Sequence, residues 1–243
     1  MDTSFGFSPI GIVHSCFSEK FGIPRQPGLV PAARATLEIL PPYDRDEAFR
    51  GLEDFSHLWI VFVFHGIGKR KWQPTVRPPR LGGNTRIGVF ATRSGFRPNP
   101  IGMSSVVLES IRRDHGKMVL DLSGIDIMDQ TPVLDIKPYL PYADIIQEAV
   151  GGFAADPPRS SLSIEFTPNA LQAGMLLEKT YPGFCDLVNQ VLRADPRPAY
   201  IGKRSTESEY GVRLYGINVR WRVLKTTIIV HTIEKFLDPS HMQ

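Results

Sequence analysis

Eight basic side chains, Lys69, Arg70, Lys71, Arg77, Arg80, Arg86, Arg93 and Arg97, fall between Phe55 and Leu108, a stretch with neither Asp nor Glu. At the chain-wide content of 25 acidic residues in 243, about five or six carboxylates would be expected there. Between Pro74 and Gly102 the same stretch holds five prolines and five glycines, which fix or bend its backbone. Charge of one sign on such backbone either holds a polyanion or an anionic small molecule, or forms a plain solvated face. His65 stands beside Gly66 at the end of an apolar run, next to these cations. A second basic set, Arg213, Asn218, Arg220 and Arg222, could grip phosphates or stack bases, or be a solvated outer face.

Other chemistries are absent from the sequence. There is no G-x-G-x-x-G followed by a helix, no P-loop, no His-Glu-x-x-His and no Gly-x-Ser-x-Gly. His14, His57, His115 and His231 show no metal-ligand spacing. Cys16 and Cys185 stand alone, which argues against a zinc cluster and a disulfide framework. The net charge of +3 says little, so the distribution of charge matters more. The N-terminus lacks a basic region followed by a long apolar run, and the apolar run from Leu58 to Phe64 is too short to span a bilayer. The expectation is a soluble cytoplasmic protein.

The elements that would position these residues are mostly strands. Phe7 to Val13 and Ala35 to Leu40 read as strands, and Asp44 to Gly51 as a short helix. Leu58 to His65 and Arg86 to Thr92 read as strands buried on both faces. Ser104 to Arg112 and Lys117 to Leu122 are strands joined by a turn at Asp114-His-Gly116, and Ile125 to Met128 and Pro132 to Ile136 flank Asp129-Gln-Thr131. Four rigid segments thus follow strand ends, at 24–28, 65–66, 93–102 and 129–132, an arrangement suited to a binding site on one rim of a barrel. Residues 151–160 lack periodicity and read as a linker between an N-terminal domain (1–150) and a C-terminal one (161–243). The latter has a short strand at 162–166, helices starting near Pro168 and Pro182, and three strands. In the second of these, Ile217, Val219, Trp221 and Val223 alternate with Asn218, Arg220 and Arg222. The residues alone give a mainly β protein with a small α+β appendage.

An ordered set of strings goes further. Pro24-Arg-Gln-Pro-Gly28, Phe55-Ser-His-Leu-Trp59, Arg77-Pro-Pro-Arg-Leu-Gly-Gly-Asn84, Gly88-Val-Phe-Ala-Thr-Arg93, Arg97-Pro-Asn-Pro-Ile-Gly-Met-Ser104, Asp135-Ile-Lys-Pro-Tyr139, Asp195-Pro-Arg-Pro-Ala-Tyr200 and Asn218-Val-Arg-Trp-Arg222 together resemble the TrmO-like family of bacterial tRNA methyltransferases, from about residue 5 to residue 233. The resemblance implies a non-Rossmann β-barrel methyltransferase domain with a small C-terminal domain that contacts tRNA. It implies methyl transfer from S-adenosylmethionine to the exocyclic nitrogen of threonylcarbamoyladenosine, beside the anticodon of a threonine tRNA. It further implies a homodimer with the cofactor near the subunit interface, and neither a membrane nor DNA as partner.

Carried over residue by residue, the cofactor contacts fall on Gln26, Pro27, Gly28, His65, Gly66, Arg93, Met103, Asp129, Gln130, Thr131 and Pro132. In this reading Arg93 pairs with the cofactor's carboxylate, and Asp129 meets either its ribose or its ammonium. Asp126, Asp135 and Tyr139 are candidates to accept the proton that the acceptor nitrogen must lose, and transfer without a dedicated base stays open. Tyr200, Asn218, Arg220 and Arg222 are expected to hold the anticodon arm. Two alternatives stand beside this reading: a non-catalytic RNA-binding β protein, and a methyltransferase of the same scaffold with another acceptor.

Overall fold

The structure is a computed structural model of the 243-residue chain and describes residues 4–67, 72–158, 162–197 and 208–236. Six strands close a barrel: β1 (Gly11–Ser15), β2 (Arg34–Ile39), β3 (His57–Val63), β6 (Ile101–Asp114), β7 (Lys117–Ser123) and β8 (Thr131–Pro138), in the order β1-β2-β7-β6-β3-β8. Every pairing in it is antiparallel. Between β3 and β6 the two-residue strands β4 (Thr75–Val76) and β5 (Ile87–Gly88) form a small ribbon. A short helix α1 (Pro141–Asp144) follows β8.

Alternation explains the barrel wall. Along β3, Leu58, Ile60 and Phe62 are buried, while Trp59, Val61 and Val63 are only partly covered. The apolar run therefore has one core face and one half-exposed face, not two buried ones. Trp59 covers part of the outer face by packing on Tyr139, with ring centroids 5.6 Å apart. Close approach across the β3–β6 pair demands a glycine: a Cβ at Gly102 would lie 2.4 Å from the Phe62 ring. The β6–β7 hairpin turns at His115 (φ 49) and Gly116 (φ 84), the left-handed pair of a tight hairpin turn.

Three further expectations need correction. Residues 86–92 form β5 and then a 3-10 turn (Val89–Ala91), not a buried strand; Arg97 donates to the Thr92 and Val89 carbonyls at 2.6 and 3.3 Å, satisfying that turn from outside. Residues 125–128 carry no strand and instead cross the end of the barrel. The expected helix at 44–51 shortens to a single 3-10 turn, Asp46–Phe49.

The C-terminal part is a four-stranded sheet in the order β10-β11-β12-β9, from β9 (Ser163–Phe166), β10 (Glu209–Leu214), β11 (Ile217–Leu224) and β12 (Thr227–Lys235); β9 runs parallel to β12. Helices α2 (Pro168–Leu177) and α3 (Phe184–Arg193) pack with it. Thr167 caps α2 by accepting from the Ala170 N–H, with Pro168 in the first turn. The Glu178 carboxylate accepts from Gly183 and Cys185 N–H groups and so caps α3.

The two sheets share one core. Phe17, fully buried, pairs with Leu214, and Tyr215 N–H donates to the Cys16 carbonyl at 2.9 Å. Glu19 pairs with Arg213 at 2.9 Å, and Gln190 of α3 accepts from the Ala32 N–H at 2.9 Å. Among the described residues no helix is long and apolar enough to cross a membrane.

Candidate functional site at the barrel mouth

One end of the barrel opens into a cavity of about 650 Å³. The loop after β1 supplies Lys20 and residues 23–27, the end of β3 supplies Phe64, His65 and Gly66, and the segment before β6 supplies Arg93 and Arg97. Gly102, Met103 and Ser104 of β6, residues 126–128 and Thr131 complete the wall.

Backbone pins hold this mouth open in a set shape. Gly28 N–H donates to the Gly124 carbonyl at 2.8 Å, and Gly124 N–H to the Ala33 carbonyl at 3.0 Å, locking the 24–33 loop to the 124–130 loop. Ser15 Oγ donates to the Ile127 carbonyl at 2.8 Å, while Ser15 N–H donates to Asp129 Oδ1 at 3.0 Å. Asp129 N–H and Gln130 N–H reach the Phe17 and Val13 carbonyls at 2.9 and 2.8 Å. Gln130 takes a positive φ of 61 where the loop turns into β8. Groups fixed in this way lose little entropy when a ligand arrives.

Of the residues expected to contact a cofactor, Gln26, Pro27, His65, Gly66, Arg93, Met103 and Thr131 line the cavity. Gly28, Asp129 and Gln130 lie in the same two loops, and Pro132 at the start of β8 opposite Ile12, but none of the four is in its lining. The Asp129 carboxylate is already an acceptor for Ser15, and Gln130 contacts His14 at 3.0 Å. Arg93 reaches across the mouth and donates to the Gln26 side chain. Thr131 Oγ1 donates to the Met128 carbonyl at 2.7 Å, so in its 3.2 Å contact with His65 the imidazole Nδ1 is the donor. Partial desolvation holds His65 below its usual range, keeping the ring neutral near pH 7. Gly66 leaves room for Met128: a Cβ there would lie 2.5 Å from the Met128 methyl.

The three candidate proton acceptors separate. Asp126 lines the cavity and accepts the Ser104 hydroxyl at 2.5 Å. Asp135 is paired with Lys137 at 2.8 Å, and Tyr139 packs on Trp59; neither lines the cavity. Ser104, Lys20, Phe64 and Met128 were not singled out from sequence. Ser104 was findable, being a polar residue on the inward face of β6 between Gly102 and Val106.

On the C-terminal sheet, Val219 and Trp221 are buried while Arg220 and Arg222 are exposed. The face is less basic than its sequence suggests. Arg213 is held by Glu19 and stacks on Phe236 at 4.3 Å, and Arg220 lies between Glu209 (3.9 Å) and Glu234 (3.5 Å). Among the described residues Arg222 has no ion pair. Tyr200 and the cluster Lys69, Arg70 and Lys71 lie outside the described residues.

A closed antiparallel barrel with a cation-rimmed cavity at one mouth is a class of ligand-binding β protein distinct from the Rossmann enzymes. Comparison with known proteins narrows the class. Residues 12–145 match the tRNA-methyltransferase O N-terminal domain, and residues 159–236 match the TrmO C-terminal domain. The chain is 48% identical over 232 residues to a tRNA (adenine(37)-N6)-methyltransferase of Escherichia coli (strain K12), covering 96% of this chain and 99% of that one. It is 37% identical over 139 residues to a "Probable S-adenosyl-L-methionine-binding protein" of Pyrococcus abyssi, covering 57% of this chain and 70% of that one. A crystal structure of TrmO from P. aeruginosa superposes with a TM-score of 0.81 at 42% identity, over 96% of this chain and 99% of that one. The chain belongs to the TrmO-like family of tRNA methyltransferases.

Proposed function

We propose that this chain transfers a methyl group from S-adenosylmethionine to the exocyclic nitrogen of threonylcarbamoyladenosine, beside the anticodon of a threonine-accepting tRNA. The observation that carries the proposal is the cavity itself: four separate strand-end segments converge on one mouth, with Lys20, Arg25, Arg93 and Arg97 among its lining. The adenine-specific name of the Escherichia coli relative supports the choice of acceptor.

The lining fits such a donor. The cavity volume of about 650 Å³ lies within the range of small-ligand sites. Phe64, Met103 and Ile127 offer apolar walls, the arginines can meet a carboxylate, and Thr131 and the rigid 24–28 and 129–132 backbones offer polar groups. In this reading Gln26, Pro27, Gly28, His65, Gly66, Arg93, Met103, Asp129, Gln130, Thr131 and Pro132 hold the donor. The four of them outside the cavity lining of one chain suit a site completed beside a second subunit of a homodimer. S-adenosylmethionine, when bound, supplies an electrophilic methyl carbon. The work of the chain is to align that carbon with the acceptor nitrogen, and alignment can supply about 7–11 kcal/mol of the barrier.

Residues 161–243 would form a tRNA-contacting domain, with Tyr200, Asn218, Arg220 and Arg222 toward the anticodon arm, in a cytoplasmic enzyme. The test is mass spectrometry of threonine tRNA from a strain lacking the gene. The methylated nucleoside should disappear and return on complementation; its persistence would refute the assigned acceptor.

A further inference from the structure

Among the described residues Asp126 is the only acidic side chain that lines the cavity. Its neighbours Ile125 and Ile127 are buried, so the chain cannot swing Asp126 away without exposing them. The loop that carries it is pinned at Gly124, Ile127, Met128 and Asp129. Ser104 sits on the inward face of β6, only 2% exposed, where a hydroxyl without a partner would cost stability. Its partner is Asp126 Oδ1 at 2.5 Å. One hydroxyl fills only part of a carboxylate's capacity of about four acceptor positions.

We infer that Asp126 accepts the proton released by the acceptor nitrogen during methyl transfer, with Ser104 as the residue that positions it. The inference rests on the proposed transfer above. The nitrogen forms its bond to the methyl carbon, the sulfur of the donor keeps the electron pair of the broken S–C bond and leaves as a neutral thioether, and the N–H proton ends on the Asp126 carboxylate.

The environment suits the task. Burial raises Asp126 from the usual carboxylate range to about 6, opposed by the Ser104 hydroxyl and the Arg93 charge. A base of that strength is ionised at pH 7 yet basic enough to help. The other charged or titratable groups in the lining are Lys20, Arg25, Arg97 and His65, and His65 is held below its usual range. The step that belongs to Asp126 is therefore the one that Asp126→Asn removes while His65 is left in place.

The experiment is single-turnover transfer to threonine tRNA across pH 5 to 9 by wild type, Asp126→Asn and Ser104→Ala, with calorimetric binding of S-adenosylmethionine to each. The wild-type rate should climb with pH and level off above about 6. Asp126→Asn should bind the donor within about threefold of wild type, lose about 100-fold or more in rate, and lose the step near pH 6. Ser104→Ala should bind the donor normally and move the step to higher pH, because it removes a hydrogen bond that favours the ionised form. An Asp126→Asn variant that keeps the wild-type rate profile overturns the inference. So does one whose rate loss is matched by lost donor affinity, which would make Asp126 a donor ligand instead. If Asp126→Asn fails to fold, an unmoved step in Ser104→Ala overturns it. A wild type that methylates no threonine tRNA refutes the acceptor assignment and this inference together, whereas wild-type transfer with an indifferent Asp126→Asn refutes the base alone.

Discussion

Arg93 and Arg97 are four residues apart and have different duties. Arg97 spends its guanidinium on the Thr92 and Val89 carbonyls and on the Phe90 ring, 5.5 Å from its centroid, so it builds the turn that presents Arg93. Arg97→Ala should therefore lower stability by about 1–3 kcal/mol in a urea titration, since it strands the Thr92 carbonyl, whereas the Val89 carbonyl keeps its bonds from Thr92. Asp126 presents the opposite case. Its carboxyl is raised from 3.8 to about 6, so the folded state disfavours the ionised form that prevails above pH 6. Asp126→Asn should then gain about 1–2 kcal/mol of stability at pH 8, with the gain fading as pH falls below 6. Equal gains at pH 5 and pH 8 would contradict the assigned titration. On the C-terminal sheet, Arg222→Ala should weaken tRNA binding more than Arg220→Ala and lower the salt slope by about 1, because Arg220 already sits between two glutamates.

At the scale of elements, the site depends on the 124–130 loop, which is neither helix nor strand and is held by buried Ile125 and Ile127 and by hydrogen bonds to β1, Phe17, Ser104 and the 28–33 loop. The alternation of Ile125, Asp126 and Ile127 looks like a strand in sequence, and only the pins at Ser15 and Gly124 show why it crosses the barrel end instead. In the same way, Val89 to Ala91 has strand-like residues, but the Thr92 N–H and hydroxyl close a turn on the Val89 carbonyl, which Arg97 also reaches. The hairpin at His115-Gly116 and the alternation in β11 were legible because they rest on local turn chemistry and a period of two. Interactions between segments over a hundred residues apart, such as Ser15 with Asp129, leave no local pattern. The close β3–β6 approach gives a direct test: Gly102→Ala, which drives a Cβ toward the Phe62 ring at 2.4 Å, should cost about 1–3 kcal/mol by denaturant unfolding.

For the whole molecule, the barrel and the C-terminal sheet share buried residues from Val13 to Ile233 in one continuous core. The expectation of a linker at 151–160 concerns the chain path and does not divide that core. The basic stretch between β3 and β6 was visible from composition, but its convergence with the 24–28 loop requires barrel closure, which brings β1 beside β8 and β3 beside β6. The acids that temper the C-terminal face, Glu19, Glu209 and Glu234, come from three separate segments and could not be paired in advance. The central claim is that the corners at one barrel mouth hold the methyl donor. Its most direct test is calorimetric titration of S-adenosylmethionine into wild type, Arg93→Ala and Arg222→Ala. The account predicts binding by wild type and Arg222→Ala alike, with Arg93→Ala weakened about tenfold or more; unchanged binding by Arg93→Ala, or a loss confined to Arg222→Ala, would contradict it.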